Sequence, residues 1–242
     1  AKVSYSIGRY SFFKKRVANC VFLFKNKQSH RKIPIQAQPN QPGQSILGAK
    51  QKAWMKKTMR ESDADFFFLV SSVNLVIPHI LDVGEDPGPD TWNGQHDSWT
   101  GFPRETDEMI GFWDVIEQPV FLLTGDIHNS FAVKVRDNVW EFASGPHISG
   151  NASMGSEGER PANGEFTYQG RTVDIHWSSY RRQDARAYRQ PIYCVVQVNN
   201  VFNNPVAARE DRWVAYPHPQ VIFQYYDGFT GKLLYAESIV AQ

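Results

Sequence analysis

The chain has 242 residues, of which 41% are hydrophobic and 21% are charged, so it is long and apolar enough to bury a substantial core. Its 26 basic and 25 acidic side chains leave a net charge of +1, which gives no reason to expect nucleic acid or an acidic membrane surface as a partner. No apolar run is long enough to span a bilayer, so no membrane partner is expected either.

Apolar residues in the first half of the chain recur with the spacing of alternating strands and helices. Buried strands are predicted over 17–24 and 66–76. Ser45 is expected to cap a first helix, which carries its apolar stripe over 47–59. A second helix is expected to start after Pro103.

The second half of the chain contains strand signals only. A buried strand at 120–123 is followed by a hairpin, a Gly-rich and mobile-looking segment at 154–164, and four further strands, over 172–177, 192–198, 221–226 and 233–238. Cys20 and Cys194 lie in apolar runs, which favours two buried thiols over a disulfide. This order indicates an α/β (α+β) layered sandwich closed by antiparallel strands.

The most informative motif follows the strand at 120–123. Gly125 permits a sharp turn, after which Asp126 and His128 stand two residues apart. The carboxyl ends of strands in open α/β sheets are common ligand sites. Because carboxylate and neutral imidazole are usual ligands of catalytic metals, the sequence predicts Asp126 and His128 as catalytic metal ligands. For these residues taken alone, a solvated loop is an equal alternative.

Four further residues are candidates for the same site. Asn129 is predicted to orient a ligand or contact phosphate, with turn-stabilising hydrogen bonds as the alternative. His147 is predicted near the pocket, with an exposed loop position as the alternative. Asp97 is predicted to line the pocket, or else to form an Asx turn that fixes Trp99. His79 follows a buried strand and is a weaker candidate for a metal ligand.

Four motifs occur together in one order along the chain. They are SILGAKQKAW at 45–54, DSWTGF at 97–102, GDIHNS at 125–130 and EFASGP at 141–146. In this order they resemble the C-terminal half of the alkaline phosphatase D (PhoD)-like metallophosphoesterases. The resemblance extends over about residues 17–152.

This resemblance implies a fold and an activity. The fold is a four-layer αββα sandwich, with residues 1–242 as a single domain that forms its C-terminal half. The activity is hydrolysis of phosphomonoesters or phosphodiesters by metal-activated water, at a site of iron with calcium or other divalent ions. Asp126 and His128 would hold part of that site, and the location would be periplasmic or secreted.

Part of the family pattern is missing. Its early Asp, second Asp and Asn have no match, and NKQSHR at 26–31 replaces the family's D-T-R-x-x-R. We therefore expect an incomplete metal site whose other ligands belong to an absent N-terminal half of the same domain. This hypothesis predicts a partly uncovered apolar sheet face and convergence of Asp126 and His128 in a cleft. The alternative is a non-enzymatic β-rich binding domain, in which the Asp–His turn is structural or binds a single calcium.

Overall fold

Two α-helices and eleven strands make up most of the regular structure of the described residues. The structure is a computed structural model and describes residues 12–25, 44–79, 98–152, 155–179, 190–203, 206 and 213–241. The helices are α1 (Ala49–Arg60) and α2 (Pro103–Asp114). The strands are β1 (Phe13–Val17), β2 (Cys20–Phe24), β3 (Phe66–Val70), β4 (Val120–Thr124), β5 (Phe131–Lys134), β6 (Val139–Ala143), β7 (Gly164–Tyr168), β8 (Arg171–Ser178), β9 (Ile192–Asn203), β10 (Trp213–Asp227) and β11 (Leu233–Val240).

These strands form two sheets. The larger sheet has eight strands in the order β1-β2-β3-β4-β6-β5-β8-β7, and the smaller has three in the order β11-β10-β9. Strands β2, β3, β4 and β6 run parallel to their neighbours in this series, whereas the other pairings are antiparallel. Neither of the described helices is long and apolar enough to cross a membrane.

The larger sheet lies between the helices and the smaller sheet. On β3, Phe67 faces the helices and shares a core with Met55 and Trp113. The next residue, Phe68, faces the other way and packs in a second core with Phe223 of β10. A strand buried on both faces needs a continuous apolar run, which is the pattern seen in the sequence. The predicted mixed sandwich is therefore confirmed as three layers among the described residues, while a fourth layer and a C-terminal placement stay predictions.

Aromatic rings join the two sheets. The ring of Phe223 stacks on that of Phe142, with centroids 3.5 Å apart, and meets Phe121 edge-on at 5.0 Å. The Tyr225 hydroxyl donates a hydrogen bond of 2.8 Å to the carbonyl oxygen of Phe131. Ring contacts and a satisfied buried hydroxyl together fix the smaller sheet on the larger one.

Apolar side chains remain exposed at the edge of the larger sheet and on the smaller sheet. They include Phe13, Val17, Tyr193, Val195, Leu233 and Val240. Clusters of exposed apolar side chains mark surfaces that contact other protein segments. The expectation that a sheet face is left uncovered by a missing half of the domain stays a prediction.

The strand predicted over 17–24 is interrupted. Strand β1 ends at Val17 and β2 begins at Cys20, because Ala18 adopts a φ of 48° in the turn between them. Cys20 and Cys194 are both free thiols. Burial raises the pKa of Cys20 to about 11 and that of Cys194 to about 12, so both thiols stay protonated near neutral pH.

Helix α1 begins later than the sequence predicts. Ser45 is not its N-cap, because the helix starts at Ala49. The Ser45 hydroxyl accepts a hydrogen bond of 2.7 Å from the N–H of Gly48 and donates one of 2.7 Å to Glu105 of α2. Ser45 thus closes the turn before α1 and links that turn to α2.

The strand predicted over 66–76 is shorter in the structure. Strand β3 ends at Val70, and the remaining residues form a loop over the end of the larger sheet. The N–H groups of Leu75 and Val76 donate to the carboxylate of Glu141 and not to a neighbouring strand. A side-chain acceptor has therefore replaced the ladder partner that a longer strand would need.

The aromatic contact between the sheets provides a test of how they are held together. We expect Phe223→Ala to lower the free energy of unfolding by about 3–5 kcal/mol, because a cavity opens between the stacked rings. Phe223→Leu keeps most of the volume and should cost no more than about 2 kcal/mol. Urea denaturation of both variants measures the two losses. Equal losses would show that ring packing is not what joins the sheets.

Candidate functional site

The turn after β4 exposes two polar side chains and buries the residue between them. Asp126 and His128 are exposed, whereas Ile127 is fully buried. The φ angles are 80° at Asp126 and 62° at His128, both in the left-handed region. This region strains L-residues, although Asp and His enter it more often than most. The turn therefore anchors itself through Ile127 and presents a carboxylate and an imidazole at the carboxyl end of a parallel strand.

Asp126 and His128 carry donor atoms that suit a metal ion. Within the described ranges, neither side chain has a hydrogen-bond or ion-pair partner in the protein. The same ranges contain no group of three His, Cys, Asp or Glu side chains placed to hold a metal. The pair therefore offers two donors of a suitable type, and their convergence on one metal ion stays a prediction.

Asn129 and Ser130 continue the same turn but are buried. The Asn129 Nδ2 donates to the Glu157 carboxylate, and its Oδ1 accepts a hydrogen bond of 3.0 Å from Asn151. The Ser130 hydroxyl donates to the carbonyl of Gly145 at 2.8 Å and accepts from its N–H at 3.0 Å. These contacts are the turn-stabilising hydrogen bonds that the sequence left open for Asn129.

The other candidates are not joined to this turn by any described contact. His147 is exposed on the loop after β6, which leaves the same sheet edge because β6 pairs in parallel with β4. His79 is half-buried at the end of the loop after β3. Asp97 lies outside the described residues, as does the segment 26–31. The roles predicted for Asp126, His128 and these residues stay predictions.

Glu141 is a buried carboxylate that the sequence analysis missed. Its Oε1 accepts hydrogen bonds from the N–H of Leu75 at 2.6 Å and from the hydroxyl of Thr124 at 2.9 Å. Its Oε2 accepts one of 3.0 Å from the N–H of Val76. Burial raises the pKa of Glu141 to about 7, and the three hydrogen bonds oppose that rise. Glu141 thus ties the loop after β3 to the end of β4, two residues before Asp126.

A second buried charged group lies in the Gly-rich segment. Glu157 and Arg160 are fully buried and form an ion pair. Burial raises the pKa of Glu157, while the Arg160 guanidinium and the Asn129 amide lower it. Arg160 also donates a hydrogen bond of 3.0 Å to the Ser178 hydroxyl. The sequence predicts a mobile-looking segment over 154–164, and within it the structure buries these two charged side chains.

Fold and site together define a sandwich of sheets with an Asp–His turn at the carboxyl edge of its parallel strands. Residues 20–191 match the family model of the PhoD-like phosphatases. The chain therefore belongs to the PhoD-like phosphatase family, which confirms the resemblance drawn from the four motifs.

One solved structure, titled "Structure of PhoD", is similar to this chain with a TM-score of 0.51 and 14% sequence identity. The similarity covers 95% of this chain and 40% of that chain, so this chain spans well under half of the PhoD structure. At this identity the likeness supports the fold. No curated protein matches the chain.

The left-handed backbone at Asp126 predicts a difference in stability between two substitutions that shorten its side chain. The free energy of unfolding of Asp126→Gly should be about 1 kcal/mol higher than that of Asp126→Ala, because only glycine adopts this φ without strain. Asp137 is exposed and not among the described residues with positive φ, so the same two substitutions there should not favour glycine. Urea denaturation of the four variants checks both statements. An alanine variant at 126 as stable as the glycine variant would contradict them.

Glu141 predicts a pH dependence of stability. In the folded protein Glu141 has a pKa of about 7, above the ordinary value of 4.5. Its contribution to the free energy of unfolding is therefore fully present below pH 4.5 and is lost as pH rises through 7. Relative to Glu141→Gln, the free energy of unfolding of the natural chain should fall by about 2.5 kcal/mol between pH 5 and pH 8. Chemical denaturation at pH 5 and pH 8 measures the difference. Parallel curves for the two proteins would sink this prediction.

Proposed function

We propose that this chain forms part of a metal-dependent phosphoric ester hydrolase, in which Asp126 and His128 are catalytic metal ligands. The observation that carries the proposal is the pair itself: two exposed side chains on one strained turn, without a partner among the described residues. Membership of the PhoD-like phosphatase family supports a phosphoesterase-type hydrolase. Because the chain spans 40% of the similar PhoD structure, the activity of the whole protein is part of this proposal.

The chemistry of the substrate explains why such donors are needed. Phosphate esters resist hydrolysis because their oxygens repel nucleophiles. A bound metal site neutralises those oxygens and lowers the pKa of a coordinated water. Asp126 would contribute negative charge and His128 a neutral nitrogen, while buried Ile127 anchors the backbone of the turn between them. Iron with calcium, or other divalent ions, are the metals that the family resemblance favours.

Several finer points belong to the same proposal. The substrate is a phosphomonoester or phosphodiester, which His147 and Asp97 contact, and Asn129 either contacts it or positions the turn. The remaining metal ligands come from an N-terminal half of the same domain. The location is periplasmic or secreted, and neither nucleic acid nor a membrane is a partner.

One observation favours the alternative function. Within the described residues, no group of three His, Cys, Asp or Glu side chains is placed to hold a metal ion. A non-enzymatic β-rich binding domain, with a structural turn or a single calcium, needs no such group. The two functions differ in whether the turn supports hydrolysis.

The test is metal content together with hydrolysis of an aryl phosphate monoester and an aryl phosphate diester. Asp126→Asn and His128→Ala should each lower hydrolysis by at least about 100-fold and lower the bound metal, since even the partners of metal ligands change activity by 10- to 100-fold. Asp137→Asn and His218→Ala, at exposed positions away from the turn, are the matched controls. If the Asp126→Asn and His128→Ala variants kept the metal content and the turnover of the natural chain, the proposed site would be excluded.

A further inference from the structure

A chain of buried polar side chains lies behind the exposed Asp–His turn. It starts at Asn129, the residue that follows His128, and Asn129 is 1% exposed. The Asn129 Nδ2 donates to Oε1 of Glu157, and Oε2 of Glu157 pairs with the Nη2 of Arg160. Each carboxylate oxygen of Glu157 therefore has a different partner.

This chain ends on rigid parts of the fold. The Nη1 of Arg160 donates to the Ser178 hydroxyl on β8 at 3.0 Å, and the guanidinium lies 5.5 Å from the ring centroid of Phe131 on β5. On its other side, Asn129 accepts from Asn151, whose Oδ1 accepts a hydrogen bond of 3.1 Å from the N–H of Gln190. The turn is thus held between the larger sheet and the segment that leads into β9.

Stability alone does not explain a charged pair in this place. Replacing a buried ion pair by well-packed apolar side chains is often neutral or stabilising, because the charges lose their hydration. What the pair does supply is a fixed acceptor for the amide of Asn129. That amide is occupied within the protein, so Asn129 acts on the site through its backbone, next to the left-handed His128.

We propose that the Glu157–Arg160 pair is a positioning device: it holds Asn129, and through Asn129 it keeps His128 in the left-handed conformation that presents its imidazole beside Asp126. The catalytic consequence rests on the proposed function, whereas the structural one does not. Of the two roles left open for Asn129, this proposal assigns it the positioning of the turn, and Glu157 and Arg160 act through it without contacting metal or substrate.

An exchange of donor and acceptor tests this proposal. Asn129→Asp sets a carboxylate against Glu157 and should break the link. Adding Glu157→Gln restores it in reverse, because the Gln amide nitrogen takes the place of Oε1 and its oxygen still faces Arg160. The exchange leaves the net charge unchanged. Asp107→Asn, which removes the distant ion pair with Arg171, is the control for general loss of stability.

The first measurement is independent of activity. Backbone order parameters of residues 127 and 128, from ¹⁵N relaxation, should be near 0.85 in the natural chain, fall below about 0.6 in Asn129→Asp and recover in the double variant. Asp107→Asn should leave them unchanged. If Asn129→Asp does not fold, Asn129→Ala, which keeps Glu157 paired with Arg160, should show the same fall.

The second measurement is hydrolysis of the aryl phosphate esters per folded molecule. The single variant should lower kcat by about 10- to 100-fold with little change in KM, and the double variant should restore it. Unchanged order parameters in the single variants, no recovery in the double variant, or an equal effect of Asp107→Asn would each overturn the positioning role. Order parameters that follow the exchange in a chain without hydrolysis would retain the positioning role and reject the proposed function.

Discussion

The burial of β4 on both faces is the constraint on which the rest of the structure depends. Its side chains alternate between a core shared with the helices and a core shared with the smaller sheet. A polar group within this strand would lose its hydration on either side, so polar chemistry is confined to the strand's end. Asp126 and His128 lie at that end. The packing of β4 between the two adjacent layers fixes the position of the turn that carries them.

The residues of this turn fall into an exposed group and a buried group. Asp126 and His128 are exposed and remain available, whereas Ile127, Asn129 and Ser130 are buried and engaged. A strained backbone persists only where its surroundings hold it, and the buried residues supply that hold. Glu141 acts similarly from the other side, since it binds both Thr124 and the loop after β3. Two buried carboxylates thus accept hydrogen bonds from residues on either side of the exposed pair in the chain, Glu141 from Thr124 and Glu157 from Asn129.

The sequence predicted the parts of this protein that depend on local pattern. The apolar runs located the central strands, and the order of four motifs identified the family. Long-range contacts could not be predicted from the sequence. Strand β3 ends early because the N–H groups of Leu75 and Val76 donate to Glu141, which lies 66 and 65 residues away. A single carboxylate inside the apolar VWEFA strand was the available signal for Glu141. Nothing in the Gly-rich spacing of 154–164 signals that Glu157 and Arg160 are buried together, because that depends on a strand formed later in the chain.

The hydrogen bonds that fix Ser130 have a consequence for the order in which the protein is made. The Ser130 N–H donates a hydrogen bond of 3.0 Å to the hydroxyl of Ser179, 49 residues further along the chain. At a synthesis rate of about 5–20 residues per second, Ser179 is added several seconds after the turn has been synthesised. The hydrogen bond that Ser130 donates can therefore form only after β8 and Ser179 have been synthesised, so a nascent chain contains the motif before it contains this contact of the turn.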